Sequence, residues 1–296
     1  MKCFLCNNEV ADILTNTLRD GSQKNVYFCE RCDLGILDNQ RTQKEIRQYY
    51  QHVYRTDRPE KLFADFFPFQ KDRLKLLAPH LNKNVHLLEV GCSAGMFLNH
   101  VKGKVKEIIG LDYDIKSAKF TEELCQCKVY QNENSLPKKY FDVICMFQTL
   151  EHVYNPTEFL EIICKSLKPN GLLYIEVPNL YDSLVFTYDI PIHYKFFFHQ
   201  AHLWYFSAKS LISLMLKLGF KGKVRFIQDY NILNHLAWAN THLPQDYIAG
   251  RAEPHVLLKK NPELNTFFVK IDKQYKQLLS KLKITSNLHF IGRRKI

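Results

Sequence analysis

The chain has 296 residues, of which 46% are hydrophobic and 24% are charged. These values are typical of a folded globular protein, so they exclude a wholly disordered chain. The length fits one core domain of about 200 residues with one or two smaller additions. No apolar run approaches the roughly 18 residues that a membrane-spanning helix needs, so we predict no membrane span.

The formal net charge of +11 raises the question of a nucleic-acid partner. The excess is uneven, because residues 221–296 contain 14 Lys/Arg and 5 Asp/Glu, whereas residues 85–220 contain 13 and 14. A nucleic-acid enzyme more often carries basic residues around its catalytic core as well. The distribution therefore favours a solvated basic face near the end of the chain over a nucleic-acid site.

The cysteine content indicates the compartment. The nine cysteines are an odd number, and the first residues, MKCFLCNNEV, do not resemble a signal peptide. A disulfide framework would normally use an even number of cysteines in a secreted chain. We therefore expect a cytoplasmic protein with reduced thiols.

Four of the cysteines form two matched CxxC pairs separated by 22 residues. Two such pairs can each wrap a turn around one metal ion and together give a tetrahedral four-thiolate site. Such a site has no open position for a substrate, so the expected zinc ion is structural rather than catalytic. Residues 1–38 are predicted to be this zinc-binding module, with the ligands Cys3, Cys6, Cys29 and Cys32.

The next segment, residues 39–84, is helical in pattern and rich in aromatic residues. Pro59 and Pro68 interrupt it, which predicts two or three helices rather than one. We expect these helices to link the zinc module to the following domain. They either pack between the two or cover a ligand as a lid.

From residue 85 onward, apolar strand patterns alternate with helical patterns, and this predicts a parallel sheet with helices on both faces. Helices are expected at 157–167 and 207–218, and a turn at 168–171. Residues 229–283 are expected to form a helical insertion before the last strand, within a domain that spans 85–296. The predicted strands are 85–90, 107–112, 128–130, 141–146, 172–177, 223–228 and 288–292.

A loop of small residues follows the first of these strands, in the sequence Glu89-Val90-Gly91-Cys92-Ser93-Ala94-Gly95. Small residues let the backbone approach a ligand closely, and the helix that follows offers free N–H groups. Asp112 ends the next strand, 21 residues after Gly91, where an acid can accept two hydrogen bonds from a ribose diol.

This pattern of acid-x-Gly-x-small-x-Gly resembles motif I of the class I S-adenosylmethionine-dependent methyltransferases. The resemblance covers about residues 85–220 and includes FQTLEH at 147–152 and LKPNGLLYI at 167–175. It implies a methyl-transferring enzyme with a Rossmann-like α/β fold, a seven-stranded, mostly parallel sheet and S-adenosylmethionine as cofactor. The residues it implies for cofactor binding are Glu89, Gly91, Ser93, Gly95, Asp112, Tyr113, Glu133, Asn134 and Phe147.

The flanking segments resemble a narrower group, the bacterial sugar C-methyltransferases with a cysteine-zinc module. The shared features are the two CxxC pairs, the aromatic helical linker and the histidine-rich stretch at 196–207. Methyl transfer to oxygen or carbon needs a general base, and histidine suits neutral pH. His202 is our first choice for this base, His152 is the second, and Tyr205 is a weaker candidate.

Two functions remain open from the sequence. The first is methylation of a small molecule, with a sugar or nucleotide-linked sugar as the acceptor. The alternative is an RNA methyltransferase whose zinc module grips the RNA, which the basic end of the chain favours. The balanced charge of the core opposes it, as does the absence of the Asn/Asp-Pro-Pro-aromatic motif after residue 146. A cofactor-binding module without activity conflicts with the intact Glu89, Gly91, Gly95 and Asp112. The oligomeric state is left open.

Overall fold

The computed structural model describes residues 1–39, 41–53, 57–243, 245, 247–254 and 260–294. The chain divides into two compact units. Unit 1 comprises Met1–Asp38, Val177–Ser213 and Val224–His289, and unit 2 comprises Asn39–Glu176, Leu214–Lys223 and Phe290–Ile296. The predicted division into a zinc module at 1–38, a linker at 39–84 and a methyltransferase domain at 85–296 stays a prediction.

The described residues contain strands that belong to two sheets. One sheet has seven strands in the order β10-β11-β8-β7-β4-β5-β6, and the other has four in the order β1-β2-β3-β9. The strands are β1 (Ile13–Thr17), β2 (Gln23–Cys29), β3 (Leu34–Leu37), β4 (His86–Val90), β5 (Glu107–Leu111), β6 (Lys128–Tyr130), β7 (Phe141–Phe147), β8 (Leu167–Pro178), β9 (Trp204–Phe206), β10 (Phe220–Ile227) and β11 (Asn287–Arg294).

The helices range from single turns to one of 21 residues. Within the part of residues 229–283 that the structure describes, three helices lie between β10 and β11, where a helical segment was expected. The helices are α1 (Gln43–His52), α2 (Pro59–Phe66), α3 (Gln70–Leu77), α4 (Met96–Val101), α5 (Ile115–Cys125), α6 (Pro156–Cys164), α7 (Ser183–Phe186), α8 (Pro191–Phe197), α9 (Ala208–Lys217), α10 (Ile232–Thr241), α11 (Tyr247–Arg251) and α12 (Pro262–Leu282).

The seven-stranded sheet confirms the predicted Rossmann-like α/β fold. Its pairs β8–β7, β7–β4, β4–β5 and β5–β6 are parallel. The central strands are apolar along almost their whole length, as parallel strands covered on both faces must be. Leu87, Val143 and Tyr174 from three neighbouring strands lie in one buried cluster with Phe97 and Leu98 of α4. This core fixes the carboxyl ends of β4, β5 and β7 side by side.

The predicted turn at 168–171 lies within the bounds of β8 rather than before the strand. Helix α6 ends at Cys164, and β8 begins already at Leu167, which pairs with Phe141. The next pair is Val143 with Leu172, so β8 contains a bulge between these pairs. Asn170 adopts the left-handed conformation with φ of 61°, which accommodates the extra residues. Residues 168–171 therefore leave the register with β7, and the ladder resumes at Leu172, where the strand was predicted to begin.

The helices of residues 39–84 confirm the expected helical pattern. Thr42 caps α1, because its hydroxyl accepts from the Glu45 N–H at 3.3 Å and the Glu45 carboxylate accepts from the Thr42 N–H at 2.7 Å. Pro59 occupies the first position of α2, where its missing N–H costs no helical hydrogen bond. These local signals explain why two helices begin where they do.

The four-stranded sheet lies within unit 1. Strands β1 and β2 form an antiparallel hairpin whose connection contains Gly21 with φ of +80°. β3 pairs with β2, and its other edge pairs with β9 through Leu34–Phe206 and Ile36–Trp204. The sequence did not indicate this last pairing, which joins residues about 170 positions apart.

A buried ion pair supports the sheet of unit 2. Arg73 of α3 donates to both carboxylate oxygens of Glu176 in β8, with an Nε–Oε2 distance of 2.9 Å. The two side chains are 16% and 2% exposed. The matched surface pair, Lys75 with Asp72, is 77% and 80% exposed. Burial makes the first pair costly to break, whereas water screens the second.

We predict that Arg73→Met lowers the free energy of unfolding by about 3 kcal/mol or more, because it leaves the Glu176 carboxylate buried without its cation. Lys75→Met is the matched control and should cost less than about 1 kcal/mol. Urea denaturation of both variants measures the difference. Equal losses in the two variants would contradict a structural role for the buried pair.

Candidate functional site

The loop between β4 and α4 adopts backbone conformations that demand small residues. Gly91 has φ of +76° and Gly95 has φ of +72°, and Ser93 between them has φ of 48°. A Cβ on Gly91 would lie 2.3 Å from Oγ1 of Thr149, and one on Gly95 would lie 2.7 Å from Cγ2 of Thr121. Both glycines are therefore needed for conformation and for space, and the loop forms an open cradle at the helix start.

Asp112 is held beside this loop by two backbone groups. Its Oδ2 accepts from the Ser93 N–H at 2.6 Å, and its Oδ1 accepts from the Asp114 N–H at 2.9 Å. The carboxylate thus joins the end of β5 to the glycine loop after β4. A carboxylate fixed in this way can present its remaining acceptor capacity to a hydroxyl pair on a ligand.

The carboxyl ends of the central strands border a cleft in unit 2. Its walls combine apolar, aromatic and charged side chains, as in small-molecule sites. The lining residues are Gln43, Ile46, Arg47, Tyr50, Val90, Gly91, Leu111, Asp112, Tyr113, Asp114, Glu133, Gln148, Thr149, His152, Val153, Tyr154, Asn155, Glu158, Phe159 and Ile162.

Glu89 lies in β4, two residues before Gly91, and its side chain is buried, with 4% exposed. Burial raises the pKa of its carboxyl well above the usual value, and the nearby Asp112 carboxylate adds to the effect although Arg73 opposes it. Its Oε2 has no hydrogen-bond partner among the described residues. A raised pKa favours the neutral acid, and Glu89 does not line the cleft, so its predicted contact with the cofactor stays a prediction. The glycine loop and the Asp112 carboxylate fit S-adenosylmethionine, because the acid can accept from the hydroxyl pair of its ribose.

Glu133 contributes another carboxylate to the cleft. It accepts from Arg47 of α1 at 2.5 Å and from the Tyr113 hydroxyl at 2.9 Å. The Arg47 guanidinium also lies 4.5 Å from the Tyr113 ring centre. Asn134, which follows Glu133 in the sequence, is exposed, and its backbone N–H donates to the Asn132 side chain. The sequence pointed to Glu133 and Tyr113 but not to Arg47, which comes from a helix about 85 residues earlier.

His152 lies in the same cleft, at the end of the loop that follows β7. Its Nδ1 is 2.9 Å from the hydroxyl of Tyr50, and its Nε2 is 3.7 Å from Oε1 of Glu151. Burial raises the pKa of the Glu151 carboxyl to about 8, and the Glu176 carboxylate adds to this effect. Near neutral pH the acid is therefore mostly protonated, and the imidazole lies between a phenol and a neutral carboxyl group. The sequence did not single out Tyr50 within the aromatic linker.

The loop that carries His152 is held in place by two residues at its start, Phe147 and Gln148. Gln148 has φ of 52°, and its side-chain amide donates to Glu176 Oε1 at 3.1 Å. Phe147 is buried, with its ring centre 4.8 Å from that of Phe97, and Arg73 stacks on its face at 4.5 Å. Phe147 thus anchors the loop in the core, and its predicted place beside the cofactor stays a prediction.

The other predicted catalytic residues lie in unit 1. The buried Tyr205 hydroxyl donates to the His199 carbonyl at 3.1 Å and accepts from the His199 N–H at 3.0 Å. Burial raises the pKa of this phenol. The His202 and His199 rings are 3.8 Å apart between centres. These contacts tie Tyr205 to the backbone of the histidine-rich stretch, and a catalytic role for either residue stays a prediction.

The four predicted metal ligands are brought together in unit 1. The sulfur atoms of Cys3, Cys6, Cys29 and Cys32 all lie within 4.8 Å of one another, and the thiols are free. The Cys6–Cys29 sulfur distance is 3.7 Å. A zinc ion with four thiolates at about 2.3 Å requires sulfur separations of about 3.8 Å, so the donor set fits zinc.

Comparison with known proteins identifies the family. The sequence profile of the methyltransferase domain family matches residues 54–223, which is more than half of the 296 residues. The chain therefore belongs to this family, and its fold is that of the class I S-adenosylmethionine-dependent methyltransferases.

Among the described residues, no helix is long and apolar enough to cross a membrane.

Curated relatives agree with this assignment. A probable S-adenosylmethionine-dependent methyltransferase of Mycobacterium tuberculosis (strain CDC 1551 / Oshkosh) is 29% identical over 142 residues, 45% of this chain and 48% of that protein. The mitochondrial ubiquinone biosynthesis O-methyltransferase of Dictyostelium discoideum is 27% identical over 135 residues, 36% and 42% of the two chains. The chain thus spans about half the length of the curated relatives it matches.

A solved structure shows the same fold. The crystal structure of a SAM dependent methyltransferase from Archaeoglobus fulgidus superimposes with a TM-score of 0.52 at 21% identity. The match covers 77% of this chain and 94% of that chain. At this identity the likeness concerns the fold rather than the acceptor.

Proposed function

We propose that this protein transfers a methyl group from S-adenosylmethionine to a small-molecule acceptor. The observation that carries the proposal is the cleft of unit 2, which combines a glycine cradle, the fixed Asp112 carboxylate and the His152 imidazole. The first two features suit the cofactor, and the third suits deprotonation of an acceptor. The family match supports the same activity.

The cofactor supplies an electrophilic methyl group on its sulfonium, and the protein positions it. Asp112 would accept hydrogen bonds from the ribose hydroxyls, since its two oxygens are oriented by backbone N–H groups. Gly91 and Gly95 would let the cofactor approach the backbone, with Ser93 between them. Tyr113 and Glu133 would flank its adenosine. Positioning of this kind supplies most of the rate enhancement in a displacement reaction.

We assign the general base to His152. It lies in the cleft that holds Asp112, and Tyr50 orients its ring through Nδ1. A base held in this way removes a proton from an oxygen or carbon acid as the acceptor attacks. Tyr50 is a positioning residue in this scheme. His202 is the competing base from the sequence.

For the acceptor we propose a sugar or a nucleotide-linked sugar. The support is the resemblance of the flanking segments to sugar C-methyltransferases, together with the cysteine cluster of unit 1. The curated relatives include proteins named for O-methylation in ubiquinone biosynthesis, so an oxygen acceptor also fits the scheme. An RNA acceptor has weaker support, because residues 85–220 carry no basic excess.

The assay for this proposal measures transfer of labelled methyl from S-adenosylmethionine to a panel of nucleotide-linked sugars. We predict that His152→Ala lowers kcat by about 10²–10⁴ and leaves cofactor affinity nearly unchanged, because a base contributes to chemistry rather than to binding. Tyr50→Phe should lower kcat less and alter the pH–rate profile.

His52→Ala is the matched control, since His52 is exposed at the end of the same helix as Tyr50. It should keep full activity. Loss of turnover in His202→Ala with normal turnover in His152→Ala would transfer the base to His202. Methylation of RNA but of no sugar would overturn the acceptor class.

We propose further that the four cysteines hold one structural zinc ion. The sulfur positions support tetrahedral coordination, in which no site is left for a substrate. The ion would join the loop at Cys3 and Cys6 to the loop that follows β2. Its binding energy would offset the small core of this part of the chain.

Metal analysis of the purified protein should find one zinc per chain. We predict that Cys29→Ser loses the zinc and lowers the melting temperature, because three thiolates hold zinc less tightly than four. Cys127→Ser is the control, as Cys127 lies outside the cluster, and it should retain the metal. A zinc-free protein whose melting temperature is unchanged by a chelator would contradict the proposal.

A further inference from the structure

Helix α12 is the longest helix of the described chain, and it is packed along only part of its circumference. It runs for 21 residues from the N-cap Asn261. Its buried positions are Asp272 and Leu279, which lie two turns apart on one face. Asp272 accepts from the N–H of Ile232 at 2.7 Å, which fixes the helix to α10 within unit 1. Most of the remaining surface of α12 is accessible.

A stripe of apolar side chains runs along the accessible part of α12. Leu264 is 40% exposed, Phe267 and Leu282 are each 54% exposed, and Leu278 is 52% exposed. The separations of three, eleven and four residues place these side chains on one face of a helix, and the half-buried Ile271 fills the gap between them. Four large apolar side chains in one row are more than the scattered exposure usual on a protein surface.

Lysines border this stripe. Lys270 follows Phe267 by three positions and Lys281 follows Leu278 by three, so each lysine is the surface neighbour of an apolar side chain. Lys270, Lys281 and the intervening Lys273 are exposed, and none has an ion pair among the described residues. Lys276 differs, because it pairs with Asp272 at 3.0 Å. The accessible face of α12 therefore combines an apolar row with a net positive charge, since Glu263 in the first turn is its one exposed acid against these three exposed lysines.

We propose that α12 binds the surface of a membrane that contains anionic lipids. A helix with an apolar stripe beside lysines lies in the interface plane, with its apolar side chains among the acyl chains and its lysines at the headgroups. Each lysine near an anionic surface adds attraction that falls off within a Debye length. The helix does not cross the bilayer. The inference is independent of the methyl acceptor, and it accounts for part of the basic excess near the end of the chain.

The combination of apolar and basic side chains favours a lipid surface over RNA. A second copy paired along the same stripe would also bury the apolar row, and it is one of the outcomes that the test distinguishes. RNA would use the lysines but would leave the Leu264, Leu278 and Leu282 side chains in water, since it has no apolar surface to bury them. An anionic bilayer satisfies both the lysines and the apolar row.

The test is co-sedimentation of the full-length protein with vesicles. We expect binding to vesicles of phosphatidylcholine mixed with phosphatidylglycerol, and much weaker binding to phosphatidylcholine alone. Lys270→Glu/Lys281→Glu should reduce the affinity about tenfold or more, because two attractive charges become repulsive. Phe267→Ser/Leu278→Ser should reduce it as well and should leave the residual binding more sensitive to salt.

Lys119→Glu/Lys138→Glu is the matched control, since both lysines are exposed in unit 2 and the change in net charge is the same. It should bind vesicles nearly as well as the wild type. Circular dichroism verifies that the variants are folded, and S-adenosylmethionine affinity should be equal in all of them. Equal vesicle binding in both charge-reversal variants, or no binding to phosphatidylglycerol, would overturn the proposal. A dimer that Phe267→Ser/Leu278→Ser dissociates, without vesicles, would assign the stripe to a second copy instead.

Discussion

The carboxylate of Asp112 is the contact on which the candidate site depends. It accepts from the Ser93 N–H at 2.6 Å and from the Asp114 N–H at 2.9 Å, and so it links the ends of β4 and β5. The glycine loop can keep its left-handed residues only if its N–H groups find such partners in place of water. The same contact orients the acid toward the cleft. The loop structure and the proposed recognition of the cofactor therefore depend on one side chain.

The buried carboxylate of Glu176 has the corresponding role for the loop that carries the proposed base. Glu176 joins Arg73 of α3 to Gln148 of the loop after β7, and this loop carries Glu151 and His152. Because Arg73 and Glu176 are paired in the interior, the loop is held by interactions that water screens little. Tyr50 then approaches His152 from the helical segment that precedes the sheet. The His152 imidazole is thereby positioned by the loop that carries it and by Tyr50 of α1.

The sequence was sufficient wherever one local pattern determines the outcome. The loop from Glu89 to Gly95 and the acid at Asp112 follow from small residues and a strand-helix alternation, and the matched CxxC pairs located the cysteine cluster. The contributions of Arg47 and Tyr50 were not predictable, since tertiary packing alone brings α1 to the cleft. The bulge near Asn170 was not predicted, because only the pairing of Leu167 with Phe141 brings the intervening turn residues within the bounds of β8. The sequence likewise gave no signal that β9 would pair with β3.

The most direct test of the account is calorimetric titration of S-adenosylmethionine into the wild type, Asp112→Ala, His202→Ala and the surface control Asp72→Ala. The account predicts one binding site per chain, and it predicts a loss of about tenfold or more in affinity for Asp112→Ala, since a charged acceptor of hydrogen bonds is removed. His202→Ala and Asp72→Ala should bind like the wild type. Equal affinity in Asp112→Ala and wild type, with the fold intact, would contradict the central claim.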